Sequence, residues 1–465
     1  MAEIVCDICV VGAGSAGLSL AAGAAQMGAR VVLIEKGRMG GDCLNFGCVP
    51  SKALLAAAKA AVPGPFGAAR VPDYAEAQAH LRGVIAAIAP HDSQERFEGL
   101  GVTVLRDTAR FTAPDRMQAG ETVIRARRFV IATGSRAAIP DLPGLEGVPY
   151  LTNETLFDLP ALPRHLLILG GGPIGMEMAQ AHRRLGAEVT VIQRGRVLAR
   201  DDEELAALVR DRLVAEGVTI REHAAVRSVA ALPEGVALDL ADGSRVTGSH
   251  LLIAAGRRPN IESLDLDRAG IAATPQGITV DKGLRTGNRR AYAIGDVAGQ
   301  GQFTHLAGYH AGVAVRAILF GLPARARTDH IPRVTYTDPE LAQIGLTEVE
   351  ARDRHGDRLT VIRQPFDGSD RALAEGRATG LLKLMVVKGR PVGVSIAGPA
   401  AGDLIGLWAL IVSQGLGLKA LSDTVLPYPT LQELNKRAAG AYFSPKLFHN
   451  PKVKTVVRLI QRLIP

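Results

Sequence analysis

Two glycine-rich loops, each entered from a short apolar strand and followed by a helix, constrain this 465-residue chain more than any other feature. The first is Gly12-Ala-Gly-Ser-Ala-Gly17, preceded by the run Ile4 to Val11 and followed by the run Val31 to Ile34, which ends at Glu35. Gly12, Gly14 and Gly17 permit the tight turn, let the backbone approach a pyrophosphate at a helix N-terminus, and let helix and strand pack closely. Glu35 stands at the separation where a carboxylate holds an adenosine ribose. The second loop, Gly170-Gly-Gly-Pro-Ile-Gly175, follows the strand Leu166 to Leu169 and opens a helix reaching Leu185. Here Gly170, Gly172, Pro173, Ile174 and Gly175 form the cradle, and the next strand runs from Glu188 to Gln193. Two such units imply two dinucleotides. The expectation is an α/β chain of about three domains, two of them Rossmann-like.

Between the loops lies Gly-Gly-Asp-Cys-Leu-Asn-Phe-Gly-Cys-Val-Pro-Ser-Lys-Ala-Leu-Leu, positions 40 to 55, with Cys43 and Cys48 five apart and Lys52 one helical turn further on. Pro50 suits a first helical turn, so Cys48 is expected near a helix N-terminus, where the dipole favours a thiolate. This string resembles the redox-active disulfide segment of the flavin-dependent pyridine nucleotide–disulfide oxidoreductases, the family of lipoamide dehydrogenase, glutathione reductase and mercuric reductase. Ile131-Ala-Thr-Gly134, Ala293-Ile-Gly-Asp296 and Gly256-Arg-Arg-Pro-Asn260 match further segments of that family, and the resemblance extends to about Phe443. It implies FAD on the first loop, with Ser15, Lys36, Gly41, Lys52, Ala109, Thr133 and Gly134 around it, Asp296 on the ribityl chain and Thr304 near the ring. It implies the nicotinamide cofactor on the second loop, with Gly256 at the exit from that domain. Cys48 is then the flavin-side thiol, Cys43 the interchange thiol, and Lys52–Glu177 an ion pair beside the flavin's reactive nitrogen. The implied layout is an FAD domain (1–145 and 263–330), a nicotinamide domain (146–262), a C-terminal α+β interface or dimerisation domain (331–443) and a tail (444–465). Such an interface domain implies a two-fold homodimer, each active site completed by the other subunit.

Two departures shape the functional expectation. After the second unit's strand, Gln193 replaces the carboxylate of an NAD-selective site, and Arg194 and Arg200 follow, which suits a 2′-phosphate. NADPH is therefore favoured, with NADH the alternative. At the far half-site the family's His-Pro-Thr reads Tyr428-Pro-Thr here; Glu433 aligns with the family's acid. An ordinary Tyr, with a pKa near 10, is only about 0.1% ionised at neutral pH. Dithiol turnover as in lipoamide dehydrogenase is then expected to be poor. Mercuric reductase shares the Tyr but adds a C-terminal cysteine pair, whereas no cysteine follows Cys48. His305 and His310 are either substitute proton donors or, more plainly, packing or interface residues. The reading is an enzyme passing electrons through Cys43–Cys48 to an unidentified disulfide, quinone or soft metal. The rivals are an NAD-dependent dihydrolipoamide dehydrogenase and a membrane-docked relay or quinone-reducing flavoprotein.

Composition adds limits. A net charge of +8, mostly arginine, without aromatic–basic interleaving gives no nucleic-acid signature. Four cysteines do not make a secreted disulfide scaffold, and the expected compartment is the cytoplasm. No metal site is expected. Cys6 and Cys9, three apart on a strand, are expected to face opposite sides as core residues. The tail from Asn450 to Ile464 places Val453, Val456, Val457, Ile460, Leu463 and Ile464 at helical spacing, with Lys452, Lys454, Arg458 and Arg462 off that stripe. It reads either as a helix packed on the protein's own surface or as a peripheral contact with the inner face of a membrane.

Overall fold

The computed structural model describes residues 2–62, 67 and 70–464, and the chain divides into two compact units. The first holds residues 1–61, 71–194 and 223–328; the second holds 62–70, 195–222 and 329–465. The second thus takes in a stretch from within the segment read as the nicotinamide domain.

In the first unit, β1 (Ala2–Val11), α1 (Ser15–Gln26) and β2 (Val31–Ile34) form the first mononucleotide unit. β1 pairs in parallel with β2 and with Thr122–Ile131, Val10 lying between Leu33 and Val130. The antiparallel strands Arg116–Ala119 and Ala109–Ala113 extend that sheet, and Ala291–Ala293 joins it alongside Thr122–Ile131. A second parallel set places His165–Leu169 between Glu188–Ile192 and His250–Ile253. These strands are nearly continuous Val, Ile and Leu because both faces are buried, as parallel sheets require.

The expected alternation fails in β1. The amides of Asp7 and Ile8 both point at the carbonyl of Arg30, at 3.0 and 3.2 Å. That irregularity flips the side-chain phase, so Cys6 and Cys9 fall in one core cluster with Val11, not on opposite faces. Burial pushes both thiols up, Cys6 to about 11, and keeps them protonated.

The second unit is built on an antiparallel sheet ordered Arg333–Thr335, Glu340–Gly345, Arg390–Gly398, Leu381–Val387 and Leu359–Pro365. The helix Ala401–Ser413 buries Leu404, Ile405, Trp408 and Ile411 in that unit's core, and the Trp408 indole donates to Asn435 at 2.7 Å. The tail forms the helix Pro451–Leu463, capped by the Asn450 side chain accepting from the amide of Lys452 at 3.0 Å. It does not pack its apolar stripe onto the protein: Val456, Val457, Leu459, Ile460 and Leu463 remain 43–72% exposed.

Candidate active site

The glycine loop of the first unit sets the geometry of the site. Gly12 has φ +105°, and a Cβ there would stand 2.4 Å from the carbonyl of Ala132. Gly41, at φ +59°, opens the short helix α2 (Gly41–Asn45), and a Cβ on it would meet Gly14 Cα at 2.6 Å. Only glycine lets the cysteine-bearing segment lie this close to the loop. Room for a ligand is left elsewhere. A Cβ on Gly14 would find nothing nearer than 3.9 Å, and no side chain among the described residues caps α1. At the second loop a Cβ on Gly172 would meet nothing within 4 Å, and the helix Pro173–Arg184 likewise has no side-chain cap. Both cradles therefore fit the pyrophosphate of a dinucleotide.

The two loops are braced alike. The Glu35 carboxylate accepts from the amides of Ala13 and Gly37 at 2.7 and 2.6 Å. The Gln193 amide oxygen accepts from Gly171 at 2.8 Å. Gln193 thus occupies the station of Glu35 without its charge. Lys36 is exposed just beyond β2, and Ala109 buries its methyl in the core of the first sheet. Thr133 and Asn260 bond reciprocally, hydroxyl to carbonyl at 2.7 Å and side-chain amide to carbonyl at 2.9 Å, which pins Gly134 to the string beginning at Gly256. Arg194 is exposed in the first unit; Arg200 is exposed in the second.

Around the thiols the structure brings four of the sequence-predicted residues together. Cys48 is the first residue of α3 (Cys48–Lys59), and its Sγ lies 3.2 Å from the hydroxyl of Thr304. Cys43 and Cys48 are free thiols hydrogen-bonded to each other, and Ser15 and Thr304 also bond to Cys43. The Cys43 thiol, above all, and then the Thr304 hydroxyl and the Lys52 charge hold the Cys48 thiol down at about 6; desolvation and Asp42 work against them. Cys43 is pushed well above its ordinary value, chiefly by that same hydrogen bond. One proton is thus shared unequally: Cys48 is the thiolate and Cys43 the donor. Lys52, one turn along α3, gives its ammonium to Glu177 at 2.6 Å, with Glu177 only 5% exposed.

A supporting network escaped the sequence reading. Asp42, beside Cys43, pairs with Arg257 at 3.1 Å and accepts from Asn153 at 2.8 Å. Arg257 donates to the Ser135 hydroxyl at 2.8 Å, and that hydroxyl donates to Asp296 at 2.6 Å. Burial pushes the Asp296 carboxyl up, against Ser135 and Arg257. Asp42 and Arg257 lay inside the matching strings, so their motifs were visible; the bonds between motifs far apart in sequence were not. His310 is fully buried, accepts from the Gly295 amide at 3.2 Å, and burial drops it to about 4, so it is a neutral packing residue.

Tyr428 and Glu433 lie in the second unit. The Tyr428 hydroxyl donates to Asp370 at 2.7 Å, and that bond pushes its pKa up. Glu433 opens the helix Glu433–Ala441, with its Oε2 buried and without a partner among the described residues. The aligned carboxylate is therefore not the one that Tyr428 uses.

Comparisons with known proteins place the chain in one family. The family model described as pyridine nucleotide-disulphide oxidoreductase matches residues 6–311, and its dimerisation domain matches residues 331–439, which indicates a homodimer. A mercuric reductase of Streptomyces lividans is 35% identical over 462 residues, covering 94% of this chain and 96% of the relative. A dihydrolipoyl dehydrogenase of Bacillus subtilis (strain 168) is 31% identical, covering 92% and 96%. The HOCl-induced flavoprotein disulfide reductase RclA of Escherichia coli, solved as a Cu(II) complex, superposes with a TM-score of 0.84 at 29% identity, covering 92% and 98%.

Proposed function

Because the chain belongs to the pyridine nucleotide-disulphide oxidoreductase family, whose cofactors are FAD and a pyridine nucleotide, we propose that it oxidises NADPH in preference to NADH and delivers the electrons through Cys43 and Cys48 to a thiol-reactive acceptor. The observation that carries this reading is the asymmetric thiol pair, with Cys48 held at about 6 and Cys43 kept protonated. When bound, FAD supplies two-electron transfer between the nicotinamide and a disulfide. Lys52 fixes a positive charge beside the thiolate, and Glu177 keeps the ammonium in place. Thr304 and the start of α3 stabilise charge on Cys48 Sγ. Cys43 holds the proton; passing it to the Cys48 sulfur across their shared hydrogen bond leaves Cys43 as the thiolate that attacks the acceptor. Asp370 keeps Tyr428 protonated, so the far half-site offers a proton donor and not a base.

That lack of a base disfavours dithiol oxidation and favours acceptors that a thiolate pair binds directly. The capture of RclA as a Cu(II) complex gives a metal ion specific support among them. NADPH is favoured because Gln193 braces its loop as Glu35 does but without repelling a 2′-phosphate, and Arg194 follows it. Steady-state assays with NADPH and NADH against Cu(II), Hg(II), a quinone, dihydrolipoamide and glutathione disulfide test the reading. Arg194→Ala with Arg200→Ala is expected to raise the KM for NADPH about tenfold or more, losing charge-assisted contacts, and to leave NADH nearly unchanged. Equal effects on both nucleotides would contradict the cofactor assignment. Undiminished turnover in Cys43→Ser would contradict the route.

A further inference from the structure

Beyond Glu433 the chain carries seven Lys and Arg and no Asp or Glu, and this charge is joined to an uncovered apolar face. The helix Pro451–Leu463 forms with its own cap and an N-terminal Pro, yet buries none of its residues. Val453, Val456, Val457, Ile460 and Leu463 recur at three- and four-residue steps and line one face. Lys454, Arg458 and Arg462 recur every fourth residue and line the opposite face. One turn earlier, Leu447 and Phe448 are also exposed. The helix begins beyond residue 439, where the match to the dimerisation domain stops.

Charge decides what can cover this face. A second copy would set one wholly basic helix against another, with no acid in either to offset the repulsion. The occupant must be anionic and must accept a purely aliphatic stripe without a shaped pocket. No described helix is long and apolar enough to cross a membrane, and this one, at 13 residues, spans only about 20 Å. It suits lying in a bilayer interface, its aliphatic face down and its basic residues reaching the headgroups. We infer that residues 444–464 form a docking surface that holds the enzyme on an anionic lipid bilayer. Aliphatic burial and electrostatic attraction supply the two signals that stable peripheral binding needs.

Flotation of the full-length, FAD-loaded dimer with vesicles tests this. Vesicles of phosphatidylglycerol and phosphatidylcholine in equal parts are expected to carry the enzyme upward at low ionic strength, and phosphatidylcholine alone to leave it behind. Substituting Val456→Ser, Val457→Ser and Ile460→Ser together should cut the bound fraction by an order of magnitude or more. Arg458→Ala and Arg462→Ala should each weaken binding roughly fivefold. NADPH oxidation in free solution should be unchanged in all of them. Failure of the intact enzyme to float with the anionic vesicles would overturn the inference. So would equal flotation of the triple-Ser variant, or a triple-Ser variant whose oligomeric state falls in light scattering, since a second copy would then be the occupant.

Discussion

At the scale of single residues, the proposed chemistry rests on one proton held between two sulfurs. Cys43 donates to Cys48, and Thr304 and Lys52 add to the stabilisation of the resulting thiolate. A folded pKa near 6, below the ordinary thiol value, means that the favourable interaction is complete at high pH and is lost as pH falls through about 6. Alkylation of the dithionite-reduced enzyme by iodoacetamide should therefore rise with a midpoint near pH 6 at Cys48, read by mass spectrometry. In Cys43→Ser the midpoint should move upward, because the weaker partnership of a hydroxyl replaces the largest contribution. A midpoint unchanged by that substitution would mean that helix and lysine set the acidity without Cys43. The cysteines, Lys52 and Glu177 were legible in the sequence because each sits in a local motif with its own spacing. Asp370 was not, since its bond to Tyr428 joins residues 58 positions apart and no motif marks it.

At the scale of elements, two loops and a two-turn stretch carry the site. α2 reaches the first loop only because Gly41 and Gly14 both lack side chains. Gly41→Ala would place a methyl 2.6 Å from Gly14 Cα at a left-handed φ, so α2 must move. The purified variant should retain much less than the parent's flavin, judged from the ratio of visible to ultraviolet absorbance; full flavin content would show that the loop tolerates displacement. Both mononucleotide units were readable from glycine spacing and apolar runs, since local turn chemistry dictates them. The phase change in β1 was not: it depends on the carbonyl of Arg30, which the sequence of the strand does not contain. The tail helix was readable from its period and cap, but whether it packs on the protein is a tertiary question, and the packed reading gives way to an exposed face.

At the scale of the whole molecule, ion pairs inside the second unit tie residues 195–222 to it. Lys383, 3% exposed on the central sheet, bonds Asp202 and Glu204 at 2.7 Å and Glu348 at 2.9 Å, and Arg363 closes the cluster onto Glu204 and Glu348. Lys383→Met would leave buried Asp202 without its cation, a loss of about 3–5 kcal/mol. Urea unfolding should show that loss, with Arg363→Met costing less because its side chain is half-exposed; equal costs would contradict the network's asymmetry. No motif marks this cluster, and it assembles from four separate stretches of chain. The proposed route takes electrons through the Cys43–Cys48 pair. Anaerobic titration of the flavin-loaded enzyme with NADPH, and in parallel with NADH, tests it most directly. A long-wavelength absorbance band from the Cys48 thiolate against oxidised flavin is expected after two electrons, reached more readily with NADPH and absent in Cys48→Ser. Flavin bleaching without that band would contradict the route.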